Sequence, residues 1–596
     1  MKSLSTQQKT TEMKKILYYK LYILLVIFVA FTSCMDDGSG LLDKAESGDL
    51  TEEKIFSDGT LARKFLNNVY SRLPKGYSRF GSVNPVYLGA TTDEGQQAHL
   101  GLLTQALWFN EGTWNAANPT DLPGWKYQWT AIRPANKVIE NMYKVPVSVQ
   151  DGITEEVKLQ METEARMLRA IFYSELLKAY GGVPIITKQL TQFDPALYTP
   201  RSTFDETVDF IVKECDACAK ILPPNYLLTS PTDFGRMTSM AAKALKARVL
   251  LYAARPLFND PNNSNRIVAG EYNPKKWEIA AEAGHDAILF AEENGYALYT
   301  DAGKDSYRQL FITRGTCEEI ITYIRTSKHR ECEARQLPLR FHNAGNDKGG
   351  GYTVPSLNLV ESYETKKGLN IYQPGSNWDP QNPYQNRDER FYATIYYNQS
   401  KYKNYTFQIY NAAEGSSVTP GVDYPSDALN TGFYLRKFID ETINPNNGAA
   451  HHNFHVLRYA EVLLNYAEAM NEAYGPYTDF FGDGKTAKWA LDQVRDRAMQ
   501  PPMPSNLSAD SMQVRIRNER KIELAFEEHR FYDCRHWKDA KAFQSIKLQT
   551  ITKDDNGVFK YGESIRKRVF NAPTMFLLPI PLDDIANGKY EQNPGW

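Results

Sequence analysis

Apolar residues recur at steps of three and four through "EEVKLQMETEARMLRAIFYSELLKAYGGVP", where Met161, Ala165, Leu168, Phe172, Leu176 and Ala179 draw one stripe along a helix. Gly181 and Gly182 supply a left-handed C-terminal turn there, and Pro184 forbids continuation. A second helix, "SMAAKALKARVLLYAARP", ends at Pro256 and carries Ala241, Ala242, Ala244 and Ala247, small residues that let a neighbouring helix approach closely. In "RYAEVLLNYAEAMNEAYG", Tyr459, Val462, Leu463, Tyr466 and Met470 share one side. A fourth pattern, "DSMQVRIRNERKIELAFEEHRFYDCRHW", is more heavily charged. Arg520 precedes Glu523 and Glu527 at helix-neighbour spacings, which predicts pairing along the surface. All four read as halves of helical hairpins.

Alanine-rich helix pairs stacked side by side are the logic of tetratricopeptide solenoids. No strict repeat is visible, so the units are diverged and interrupted. The expected fold is mostly α, a tetratricopeptide-like helical-hairpin scaffold with long loop insertions at about 70–130 and 255–430. Long loops inside a compact protein are usually functional.

The start of the chain follows a different rule. An apolar run over residues 21–31 is too short to span a bilayer, which takes about 20 apolar residues. Lys14, Lys15 and Lys20 before it, and small residues after it, are the flanks of a secretory signal. Phe31-Thr32-Ser33-Cys34 resembles the lipobox of bacterial lipoproteins, with Phe in place of the usual first-position Leu. That resemblance implies cleavage after Ser33 and acylation of Cys34, and more than one buried acyl chain gives stable anchoring. The bland alternative is a plain signal peptide with a cysteine near its end.

Composition narrows the partners. A formal net charge of −2 and the lack of a long basic run argue against an electrostatic grip on nucleic acid. Besides Cys34 there are Cys215, Cys218, Cys317, Cys332 and Cys534, an odd set too sparse for a disulfide framework. Cys215 and Cys218 form a CxxC inside a helical pattern, without the strand-to-helix context of a redox site.

Four of nine tryptophans, Trp108, Trp114, Trp125 and Trp129, fall in "LWFNEGTWNAANPTDLPGWKYQW" among Asn, Gly, Pro and Asp. Aromatic faces can stack on the C–H faces of sugars while neighbouring groups such as Asn110 bond to hydroxyls. The alternative is that loop tryptophans pin an insertion to the scaffold. This suits Trp125 and Trp129 better, since they adjoin the helix "WTAIRPANKVIENM", whereas Trp108 and Trp114 are the ligand candidates. In "HHNFH", His451, His452 and His455 are close enough for a metal, but no further ligand is specified and no metal or other cofactor is expected. "NWDPQNPYQNRDERF" lacks the spacing of an EF-hand loop, and no nucleophile elbow or triad signature appears.

Seven stretches in order carry a wider resemblance: "EARMLRAIFYSELLKAYGGVP", "AAKALKARVLLYAARP", "NPYQNRDERF", "RYAEVLLNYAEAMNEA", "LDQVRDRA", "RNERKIELAFEEHRFYDCRHW" and "FLLPIPLDDIANGKYEQNPGW". Together they resemble the SusD/RagB family of Bacteroidetes outer-membrane lipoproteins and cover nearly all of the chain after the signal.

The resemblance implies a signal peptide at 1–33, a lipid-anchored linker at 34–50 and one SusD/RagB-like domain at 51–596, with an N-terminal part to about 235 and a C-terminal part from about 236. It implies a non-catalytic, cell-surface lipoprotein of the outer membrane that binds oligosaccharides and delivers them to a SusC-like TonB-dependent barrel. It also points to Asp93 in "GATTDEGQQ", beside Glu94, and to Asn343, Asn346 and Tyr352 in "FHNAGNDKGGGYTVP" as ligand contacts. A solvated loop acid is the plainer reading of Asp93. Oligopeptides as ligand, a lipid-anchored glycosidase and a protein-only adaptor remain the alternatives.

Overall fold

The small and apolar positions read above become the seams of a helical stack. The computed structural model describes residues 51–78, 86–98, 105–119, 124–191, 194–227, 230–338, 351–424 and 431–596. The chain divides into two units, Met1–Ile55 and Phe56–Trp596, and everything below concerns the second. The principal helices are α1 Gly59–Tyr70, α2 Gln105–Glu111, α3 Trp125–Asn141, α4 Glu155–Tyr180, α5 Phe204–Ala219, α6 Ser239–Ala254, α7 Lys276–Glu293, α8 Tyr459–Tyr474, α9 Ala487–Arg497, α10 Ala509–Glu523 and α11 His529–His536.

From α3 to α9 each helix packs on the next, and α10 returns to α8. Thr154, Thr203 and Thr238 cap α4, α5 and α6, accepting from Val157, Glu206 and Ala241 backbone N–H groups. At the end of α4, Gly181 has φ +83°, and the backbone there is crowded. A Cβ on Gly181 would lie 2.8 Å from the Ile267 carbonyl oxygen, and one on Gly182 would lie 2.2 Å from that of Ser202. The glycines therefore close a helix and admit a neighbouring chain at once.

Helix α7 lies inside the region 255–430 that the pattern assigned to an insertion. Its buried face is Ala280, Ala281, Ala283, Gly284, Ala287, Ile288 and Ala291, which fits it between α6 and α8. The true insertion runs from α7 to α8. It contains β2 Ile320–Arg325 and ends with β4 Asn453–Arg458, and these two strands pair antiparallel, so the insertion closes at its root. Elsewhere β1 Gly95–Gln96 pairs with β3 Val354–Pro355, and β5 Ser545–Lys553 with β6 Phe559–Lys567.

The fourth pattern is two helices, not one. Phe526 and Glu528 take left-handed backbone conformations (φ +59° and +73°) and break it between α10 and α11. Its charges are buried, contrary to the surface pairing expected. Glu523 is fully buried and meets Arg458 at 2.7 Å and Arg390 at 3.0 Å, while Arg520 meets Asp533 at 3.0 Å. Arg458 further reaches Glu319 at 2.8 Å and Glu527 at 2.7 Å. Each cation is paired with carboxylates from other elements, the condition under which buried charges are tolerated. Burial alone would raise the Glu523 and Glu527 carboxyls, but the surrounding cations, Arg497, Arg458 and Arg390 at Glu523 and Arg458 with Lys437 at Glu527, outweigh it and hold both below the usual carboxylate range, Glu527 at about 2. An apolar cluster including Tyr77, Phe311, Leu359, Phe391, Phe433 and Phe526 packs beside this network.

Candidate ligand site

The segment 86–98 is the first of the expected ligand regions, and the scaffold grips it from several sides. Arg568 donates to the carbonyl oxygens of Thr92 at 2.7 Å and Gly95 at 2.7 Å. Asn110 Nδ2 donates to the Ala90 carbonyl at 3.0 Å, and Ser356 Oγ donates to that of Asp93. Asp93 itself is no solvated loop acid and has no free face for a sugar. Arg530 Nε and Nη2 donate to its two carboxylate oxygens at 2.8 and 2.9 Å, and Lys521 Nζ donates at 3.0 Å. Burial opposes ionisation, yet these two cations hold the Asp93 carboxyl well below the usual range. Glu94 is the opposite case. Burial first, and the Asp93 charge second, push its carboxyl up to about 8, while its Oε1 accepts from the Phe526 N–H.

The tryptophans divide. Trp114 is buried, stacked on Phe109 at 4.4 Å and tilted against Trp596 at 4.6 Å, so it fastens the chain's end to α2 and offers no ligand face. Trp108 is half-buried on α2. Asn110, two positions on, lines a polar cleft of about 60 Å³ with Gln96, Gln97, Glu111, Arg566 and Arg568. Trp125 is buried, and Trp129 is half-buried in a larger groove between α3 and the chain near Ile186.

Tyr352 is 3% exposed; its ring carries the Arg335 guanidinium at 5.3 Å and its hydroxyl accepts from Arg335 at 3.3 Å. That makes it part of the wall rather than an open platform. Cys34, Asn343 and Asn346 lie outside the described residues. Ala98, Leu337, Val354 and Tyr434, with Tyr424 against them, share one apolar cluster around Tyr396 and Phe407. Stretches far apart in sequence, each next to an expected ligand segment or an insertion, thus meet at one place.

The histidines do not converge on a common point. His451 Nδ1 pairs with the Thr326 carbonyl at 2.7 Å, His452 Nε2 with Glu333 at 2.9 Å, and His455 is stacked on Phe311 at 5.3 Å. Among the described residues no group of three or more His, Cys, Asp or Glu could hold a metal ion. The cysteines of the CxxC are buried and unbonded to each other, and burial raises the Cys218 thiol to about 12. Among the described residues no helix is long and apolar enough to cross a membrane.

The fold is a helical-hairpin stack whose insertions share an apolar cluster, and comparison with known proteins gives its family. The chain belongs to the SusD/RagB family. The SusD family model matches residues 318–596, and a related model described as "Starch-binding associating with outer membrane" matches residues 42–251. A SusD-like protein of Bacteroides ovatus is 23% identical over 566 residues, covering 91% of this chain and 89% of its own. A solved SusD-like protein of Bacteroides fragilis is 26% identical with a TM-score of 0.68, over 91% of this chain and 98% of its own. A SusD-like carbohydrate-binding protein of the same species shares the fold at 24% identity and a TM-score of 0.68, over 89% and 99% of the two chains.

Proposed function

We propose that this protein is a non-catalytic, lipid-anchored glycan-binding protein of the outer membrane that captures oligosaccharides and delivers them to a SusC-like TonB-dependent barrel. Membership of a family whose second model is described as starch-binding supports the ligand class, as does the solved relative named for carbohydrate binding. The observation that carries the reading to this chain is the position of α2. It holds Trp108 half-exposed and Asn110 in a polar cleft beside Gln96 and Gln97, on a segment that Arg530, Lys521 and Arg568 make rigid. A half-exposed indole suits the apolar face of a sugar, and side-chain amides on the same helix and the neighbouring segment suit its rim of hydroxyls. Rigidity lowers the entropy lost on binding.

The test is a glycan array probed with residues 35–596, with a peptide library beside it. Retention by glycans and not by peptides is the expected result. Retention by peptides alone, or release of reducing ends from a bound glycan, would contradict the reading.

A further inference from the structure

A second aromatic groove lies apart from the Asn110 cleft and shares no lining residue with it. It has a volume of about 450 Å³, within the roughly 300–1,000 Å³ of small-molecule sites, and is formed by α3, the chain at 186–190 and the C-terminal segment. Its wall is Trp129. Trp125 meets that ring edge-on at 5.6 Å and 69°, and Tyr173 does so at 5.9 Å and 90°, so the plane of the indole is fixed from two directions. Tyr590 adds a second aromatic wall, packed on Trp125 at 5.9 Å.

Polar groups surround these rings. Arg133, Lys126, Lys188 and Asp584 line the groove. Lys188 is already engaged with Asp194 at 3.2 Å, whereas Asp584 Oδ2 is buried with no hydrogen-bond partner among the described residues. Burial raises the Asp584 carboxyl, opposed by Lys126.

The backbone of the groove is closed to a peptide strand. The carbonyl oxygens of Ile186 and Lys188 accept from Asn136 Nδ2 at 3.0 and 3.2 Å, and the Gln189 N–H donates to Glu140 at 3.1 Å. Strand addition requires free main-chain groups, and these are used. What is left is a fixed aromatic face ringed by a carboxylate and cations.

We propose that this groove is a second carbohydrate subsite, in which a pyranose ring stacks on Trp129 with its hydroxyls bonded to Asp584 and Arg133. The inference rests on the glycan reading above and adds a place of contact that the sequence pattern assigned to packing. Two subsites on one rigid body would hold a chain longer than either alone, because the second contact forms at a high effective concentration.

Isothermal titration with maltohexaose, laminarihexaose, cellohexaose and hexagalacturonate tests it on residues 35–596. Thr130→Trp fills the groove from an exposed helix position without removing a packed side chain, and Trp129→Ala removes the platform. A hexasaccharide that binds the native protein should bind both variants about three- to tenfold more weakly, or lose one of two sites, with the melting of Thr130→Trp unchanged. Unchanged affinity and stoichiometry in Thr130→Trp would overturn the subsite while leaving glycan capture intact. Failure of all four sugars to bind the native protein would also overturn it, since a stacking face accepts any pyranose with an apolar side. The wider glycan array then decides the capture function separately.

Discussion

Arg530 and Asp93 lie 437 positions apart in sequence and meet through two parallel hydrogen bonds of 2.8 and 2.9 Å. The pair locks the segment next to the candidate ligand cleft onto α11, with Lys521 of α10 as the third member. Removing one partner of a buried ion pair costs about 3–5 kcal/mol, because the remaining charges stay buried and uncompensated. Asp93→Ala is therefore expected to lower the melting temperature markedly. A variant with native melting and lost glycan affinity would return Asp93 to the role of a direct ligand contact.

Glu94 makes the opposite prediction with pH. Its folded carboxyl titrates near 8, above the ordinary value of 4.5, so its contribution to stability is complete below about 4.5 and lost as pH rises through 8. Glu94→Gln should remove that loss, and its melting temperature relative to the native protein should rise between pH 5 and pH 9. A constant difference over this range would contradict the assignment. At the acid end Glu461 and Glu527 are held near 2 by Arg248 and Arg458, against the upward pull of burial. Their stabilisation is present above about 4.5 and lost as pH falls toward 2.

Gly182 tests the scaffold. A methyl group there would meet the Ser202 carbonyl at 2.2 Å, a backbone atom that cannot swing aside. Gly182→Ala should cost about 1–3 kcal/mol, as overpacked sites do, and leave the affinity of the folded fraction unchanged. Weaker binding with native melting would show that the glycine serves the ligand.

Cys34→Ala tests the anchor. On the proposed reading the acyl chains on Cys34 are what hold the protein at the membrane. Fractionation should move the variant from the membrane to the soluble fraction. A variant that stays embedded would contradict lipid anchoring through this residue.

Local pattern carried the scaffold well where large apolar residues marked the period, as in α4 and α8. Helix α7 was hidden because its buried face is mostly alanine and follows a stretch rich in Gly, Asn and Pro. The charges of α10 misled for another reason. Spacing shows which residues are neighbours on one helix, but Glu523 is paired by Arg390, Arg458 and Arg497 from elsewhere. The same limit applied to the site. Trp114 was a ligand candidate because its neighbours in sequence are polar, while its partner is Trp596 at the far end of the chain. Trp125 and Trp129 looked alike, and only packing separates the buried ring from the one that faces a groove.

The most direct test of glycan capture is calorimetric titration of the array's best glycan into the native protein, Trp108→Ala and Trp114→Ala. Loss of a stacked ring contributes about 0.5–1.5 kcal/mol, so Trp108→Ala should bind several-fold to tenfold more weakly with native melting. Trp114→Ala should instead lose about 3–5 kcal/mol of stability, as buried aromatic truncations do, and keep its affinity while folded. Unchanged affinity in Trp108→Ala with native melting would contradict the placement of the ligand on α2.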